Sequence, residues 1–198
     1  MQARTLSRAL RSALVPLAFL AALVTPAAAK ADLPESTHGP FYVQGTFPLG
    51  LGYGHTFSGL GSGGFANWKP DVEFGAHFTG RHDGFVLALR QEFHLTEVPN
   101  SAGASTVLKF GYDIPIPVGD FELSIGPYGT FGVNYLFDGP HAGIRATGGV
   151  DAKFFFFDGL YAFARPFEMG FHCWHDYGQC ALWMEFGAGL GFAFPSPK

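Results

Sequence analysis

The chain has 198 residues, 47% of them hydrophobic and only 14% charged, against roughly 25% charged in ordinary soluble domains. That size suits one domain, and the hydrophobicity excludes disorder, which needs low hydrophobicity and high charge. A formal charge of −4, with 12 basic against 16 acidic residues, leaves no surplus of cations to neutralise nucleic-acid phosphates.

The first segment, residues 1–29, reads as a secretory signal peptide. Arg4, Arg8 and Arg11 form a positive head, residues 13–24 an apolar run, and Ala27-Ala28-Ala29 a small-residue site with cleavage after about Ala29. The apolar run is too short for the ~20 residues that a transmembrane helix needs. No Cys follows the cleavage zone to carry a lipid anchor. Residues 30–40 then form a short N-terminal segment, expected in the periplasm.

From residue 41 onward no apolar stretch is long enough for a spanning helix, and the apolar residues alternate instead. The 28 Gly and 23 Phe fit strands and turns better than helices. The alternation predicts eight strands, at 41–57, 69–78, 85–95, 105–115, 120–135, 142–157, 160–171 and 181–194. Val72, Phe74, Ala76 and Phe78 take one face against Glu73, Gly75 and His77 on the other. Leu108 and Phe110 similarly oppose Lys109 and Asp113, and Leu123, Ile125, Phe131 and Val133 oppose Glu122, Ser124, Tyr128 and Thr130. Two-faced strands longer than the usual five or six residues mark a transmembrane β-barrel. Residues 41–194 are therefore expected to form an all-β, closed, antiparallel up-and-down barrel, with 195–198 as a tail.

The second, fourth and sixth connections, at 79–84, 115–119 and 158–159, are short. The first, third and seventh, at 58–68, 96–104 and 172–180, are longer. The fifth, at 136–141, is short but lies on the long-loop side by parity. Such alternation suits short periplasmic turns and longer outside loops. Because backbone groups in hydrocarbon must all be paired, the sheet has to close, and eight strands leave an interior only wide enough for side chains. Inward parity falls on Glu73, His77, Arg90, Glu92, Lys109, Asp113, Glu122, Arg145, Asp151, Lys153 and Glu185. Charges of both signs in a narrow lumen are expected to pair into a plugged polar network rather than line a pore. Aromatic residues near strand ends, among them Phe41, Tyr42, Phe47, Tyr135, Phe137, 154–157 and Tyr161, are expected at the bilayer interface.

The architecture over the whole mature chain resembles the small eight-stranded outer-membrane barrels of the OmpA transmembrane-domain and OmpX type. The closest local match is Gly189-Leu190-Gly191-Phe192-Ala193-Phe194. It is similar to the C-terminal signal read by the barrel-assembly machinery, although Pro195-Ser196-Pro197-Lys198 follows the Phe. The resemblance implies outer-membrane lipids and that machinery as partners, and a monomer. It does not settle function, since the family hosts adhesion, envelope stabilisation and lipid A modification.

Cys173 and Cys180, the only cysteines, are expected to form a disulfide in an oxidising compartment. Such a small ring contributes about 2 to 3 kcal/mol in the loop-entropy model. A metal site built from these thiolates with His172, His175 and Asp176 is the competing reading. Gly59, Gly61 and Gly64 match G-x-G-x-x-G, but Asn67-Trp68-Lys69-Pro70 cannot open the helix that a dinucleotide site requires, so no cofactor is expected. For a catalytic site the only suggestive run is His94-Leu95-Thr96-Glu97, where the lipid A deacylase pattern has Ser in place of Thr96. The expected function is accordingly a non-enzymatic outer-membrane barrel that anchors surface loops. A lipid A-modifying enzyme and a soluble periplasmic barrel for an apolar ligand are the alternatives.

Overall fold

The computed structural model describes residues 36–47, 50–56, 62–67, 69–98, 101–137, 141–174 and 179–195. The expected signal peptide at 1–29 therefore lies outside the described residues. From residue 36 on, the chain forms ten strand segments: β1 (Phe41–Phe47), β2 (Gly50–Thr56), β3 (Ser62–Asn67), β4 (Asp71–His77), β5 (Gly84–Val98), β6 (Ser101–Val118), β7 (Phe121–Leu136), β8 (Ala142–Phe155), β9 (Leu160–Trp174) and β10 (Gln179–Ala193). All pairings are antiparallel. β4 to β10 pair in chain order, and β1 lies between β4 and β10 and closes the cylinder. β2 continues the line of β1 along the far half of β10, with Tyr53 opposite Met184, and β3 pairs with β2. The ten segments therefore make an eight-stranded closed barrel, with β1 and β2 sharing the first strand position and β3 and β4 the second.

Several boundaries differ from the sequence expectation. Residues 62–67, expected in the first loop, pair as β3. The expected third loop is instead a long hairpin, because β5 runs to Val98 and β6 starts at Ser101. Pro115 and Pro117, expected in a turn, lie within β6 opposite Ser124 and Glu122. Among the described residues nothing on the β5 side is registered with β6 beyond Asp113, so this end of β6 is an edge, where prolines in a sheet are tolerated. The turn falls on Gly119, whose φ of 62° is the left-handed conformation that glycine adopts without penalty.

The outer wall is apolar. Phe74, Leu89, Leu108, Phe131, Val133, Ile144 and Leu190 all face outward and are exposed. A continuous surface of this kind is stable in hydrocarbon and would aggregate in water. The interior holds the polar partners of the same strands, as period 2 requires. The aromatic assignment needs correction, because clustering near a strand end does not say which face a ring takes. Phe41, Phe154 and Phe157 point outward, whereas Tyr42, Phe155 and Tyr161 are buried in the barrel.

The inward tyrosines lie over glycines on the neighbouring strand. Tyr161 is registered opposite Gly191, and a Cβ at Gly191 would sit 2.2 Å from the Tyr161 ring. Gly191→Val should therefore push the ring off its site and destabilise the barrel by about 1–3 kcal/mol, as overpacking does. The midpoint of the heat-induced shift between folded and unfolded gel bands reads the loss. A midpoint equal to that of the parent would show that Tyr161 can move at no cost.

Candidate functional site

The barrel interior contains the chemistry of this chain, and it begins with strand parity. Glu73, two residues from Asp71 on β4, and Arg90 and Glu92 on β5 face inward in directly registered rows, Glu73 opposite Arg90 and Asp71 opposite Glu92. Arg90 donates from Nε to Glu73 Oε2 at 2.8 Å and from Nη1 to Glu168 Oε2 at 2.7 Å. Lys109 bridges Glu73 Oε1 at 2.8 Å and Asp151 Oδ2 at 2.6 Å. Arg165 joins Asp151 Oδ1 to Asp71 Oδ2, each at 3.0 Å. Tyrosine hydroxyls add further donors. Tyr42 donates to Glu73 at 2.7 Å, Tyr128 donates to Glu168, and Tyr161 donates to Gln44 at 2.9 Å.

Toward the long hairpins, Arg145 lies 3.0 Å from Glu92 and stacks on Trp183 with 4.1 Å between guanidinium and ring centroid. Lys69 covers the same ring at 4.5 Å and pairs with Glu185. Toward the short turns, Lys153 bonds Asp113. Lys69, Arg90, Lys109, Arg145, Lys153 and Arg165 thus meet Asp71, Glu73, Glu92, Asp113, Asp151, Glu168 and Glu185, all of them buried. Nearly equal numbers of each sign let every ion keep a partner in a low-dielectric space, the condition under which buried charge is tolerated.

Of the lumen residues expected from sequence, Glu73, Arg90, Glu92, Lys109, Asp113, Arg145, Asp151, Lys153 and Glu185 lie within this interior. Glu122 does not join the network. It sits at the mouth on the short-turn side, where Ser36 Oγ donates to it at 2.7 Å and the Thr37 amide at 3.3 Å. Lys69, Asp71, Arg165 and Glu168 were missed. Extending the parity of Glu73 backwards finds the first two. Arg165 and Glu168 are an odd and an even position that both face inward, which strict alternation forbids. An extra residue on β9 around Pro166 reconciles them, since Arg165 is opposite Gly187 and Glu168 opposite Glu185. Such a bulge is also where a proline in a sheet is at home.

Cys173 and Cys180 form a disulfide. The two are registered partners on β9 and β10 rather than loop residues, so the bond staples a strand pair. The competing metal reading needed His175 and Asp176, which lie outside the described residues. His94, from the suggestive catalytic run, faces inward and hydrogen-bonds Ser105 Oγ at 2.6 Å. Both are buried, and Glu92 approaches the same ring nitrogen, at 3.7 Å, instead of orienting the opposite one as a nucleophile–base–acid relay requires. The side chains of Thr96 and Glu97 lie outside the described residues.

His77 at the end of β4 and His82 in the turn that follows meet Asp113 on β6. His77 Nε2 lies 2.8 Å from Asp113 Oδ2, and the rings of His77 and His82 meet tilted at 50° with 4.2 Å between centroids. The donor atoms of His77, His82 and Asp113 lie within 4.8 Å of one another. Lys153 occupies the cation position among them, bonded to Asp113 and 3.2 Å from His82 Nε2.

No protein-family model matches the chain, and no curated protein matches it. Among solved structures, Neisserial surface protein A matches with a TM-score of 0.50 at 15% identity, covering 78% of this chain and 97% of that one. Ail, the attachment invasion locus protein of Yersinia pestis, matches with a TM-score of 0.40 at 12% identity, covering 78% and 99%. The chain has the fold of the small eight-stranded outer-membrane β-barrels.

Proposed function

We propose that the protein is a non-enzymatic barrel of the bacterial outer membrane, exported by a leader cleaved near Ala29. Its short turns face the periplasm, and its long hairpins stand at the surface to contact a partner or stiffen the envelope. The observation that carries this reading is the combination of an apolar outer wall with a lumen closed by ion pairs. Such a cylinder is an anchor and not a passage. The fold shared with a Neisserial surface protein supports the same setting. Outer-membrane lipids would be its solvent, and the alternating Phe192 and Phe194, at and just beyond the end of β10, would address it to the barrel-assembly machinery.

Two measurements test the reading. Cell fractionation should place the mature chain in the outer membrane as a heat-modifiable monomer, whereas recovery as a soluble periplasmic protein would favour the apolar-ligand alternative. In planar bilayers the protein should show no steady conductance. A stable nanosiemens-scale pore would overturn the closed lumen, and a changed lipid A mass spectrum in a deletion strain would favour the enzyme.

A further inference from the structure

The short-turn end of the barrel is covered by the chain itself. Residues 36–40 cross the mouth and are held by the 78–83 turn on one side and by Glu122 on the other. The Ser36 amide donates to Asp83 Oδ2 at 2.9 Å, the His82 amide donates to the His38 carbonyl at 2.9 Å, and His77 donates from its amide to the Pro40 carbonyl at 3.0 Å. The His38 ring stacks on Phe155 with 4.0 Å between centroids. At the centre of this cover is the fully buried side chain of His82. Its Nε2 lies 3.2 Å from Lys153 Nζ. An ammonium only donates, so Nε2 accepts and the ring is neutral.

We propose that this cover is an acid-sensitive latch: His82, neutral and bonded to Lys153, holds the 78–83 turn and residues 36–40 across the mouth, and a proton on His82 releases both. The charges around the ring make protonation incompatible with the closed position. His77 sets Nδ1 3.1 Å from the Pro40 carbonyl and Nε2 2.8 Å from Asp113. Asp113 thus already has two partners, Lys153 and His77. A charged His82 would be a third, within 3.2 Å of an ammonium and 3.9 Å of that carboxylate.

The other elements packed around the ring offer little relief. Tyr42 on β1 and Tyr161 on β9 present neutral rings at 5.2 and 5.6 Å, Phe155 on β8 is apolar, and His38 adds a further titratable group. Within the turn, Arg81 pairs with Asp83 at 3.4 Å. Burial first, then Lys153 and His77, lowers the affinity of His82 for a proton below the ordinary value of 6.5. Because the closed form binds the proton more weakly than the released form, the latch is fully stable above pH 6.5 and weakens as pH falls below it. Each pH unit below 6.5 favours release up to tenfold.

The test does not depend on the membrane placement proposed above, since the folded barrel in detergent micelles suffices. The readout is hydrogen-exchange protection of the His82 amide, corrected for the intrinsic rate at each pH. Between pH 7.5 and 5, protection should fall by about 10- to 30-fold, while the Leu89 amide in mid-barrel stays unchanged. In H82Q, whose amide oxygen can still accept from Lys153, the loss should vanish, and in H38Q and H77Q it should persist. Unchanged protection in the parent, or an equal loss in H82Q, overturns the latch. If H82Q does not fold, the parent decides through its ring nitrogen shifts. A His82 ring that gains its proton while its amide stays protected overturns the proposal, and gain of the proton together with loss of protection supports it.

Discussion

Arg90→Ala should lower the unfolding free energy of the barrel by about 3–5 kcal/mol, the range found when one partner of a buried ion pair is removed. Arg90 sits at the centre of the lumen, fully buried, with Glu73 at 2.8 Å and Glu168 at 2.7 Å. Without it, both carboxylates would remain in a space that offers them too few donors. Lys109 still reaches Glu73 at 2.8 Å and Lys69 reaches Glu168 at 3.4 Å, so the remaining charges would draw water inward rather than collapse. The variant should thus unfold at lower urea in lipid vesicles and show brief small openings in planar bilayers where the parent shows none. Replacement by Met, similar in length but uncharged, should cost as much, because the loss comes from the stranded carboxylates and not from the cavity. If Arg90→Met were as stable as the parent, the lumen would not depend on its ion pairs.

Leu108→Arg should destabilise by about 2–4 kcal/mol in a bilayer, the cost of a cation at mid-depth on the outside of a barrel. Leu108 lies near the middle of β6, opposite Leu89 on β5 and Phe131 on β7, and is exposed to 53% on the outer wall. In a water-soluble barrel the same substitution on an exposed position would be neutral or would help solubility. The sign of the effect therefore separates a hydrocarbon-facing wall from a water-facing one. The measurement is reversible urea unfolding in vesicles, followed by tryptophan fluorescence, and an unchanged midpoint would put this face outside the membrane core.

Much of this architecture is legible before any coordinates. Alternation of Phe74 with Glu73, or of Leu108 with Lys109, states which face meets hydrocarbon and which meets the lumen, because side chains in a strand point to opposite sides at every step. Strand number and closure follow from the same pattern together with the requirement that no edge be left unpaired in hydrocarbon. Parity fails only where a strand loses its regularity. The bulge around Pro166 on β9 brings Arg165 and Glu168 to the same side, and without it the anchors of Asp71, Asp151 and Arg90 cannot be named. The interface position read for Tyr42 and Tyr161 failed for a related reason, since proximity to a strand end says nothing of the face.

What the amino-acid sequence determined by itself is therefore local: a two-faced strand pattern, its charge-bearing side, and a single pair of cysteines. Tertiary structure alone decided the meetings between strands far apart in the chain. Lys153 and His82 lie 71 residues apart and touch at 3.2 Å, and Ser36 reaches Glu122 across 86 positions. Such contacts depend on register, which is set by where each bulge and turn falls, and a shift of one residue would turn every one of these side chains to the other face. The histidines show no ligand spacing along the chain and yet form a cluster around one carboxylate, because the barrel wraps β4, β6 and β8 around a common interior too narrow to keep their inward side chains apart.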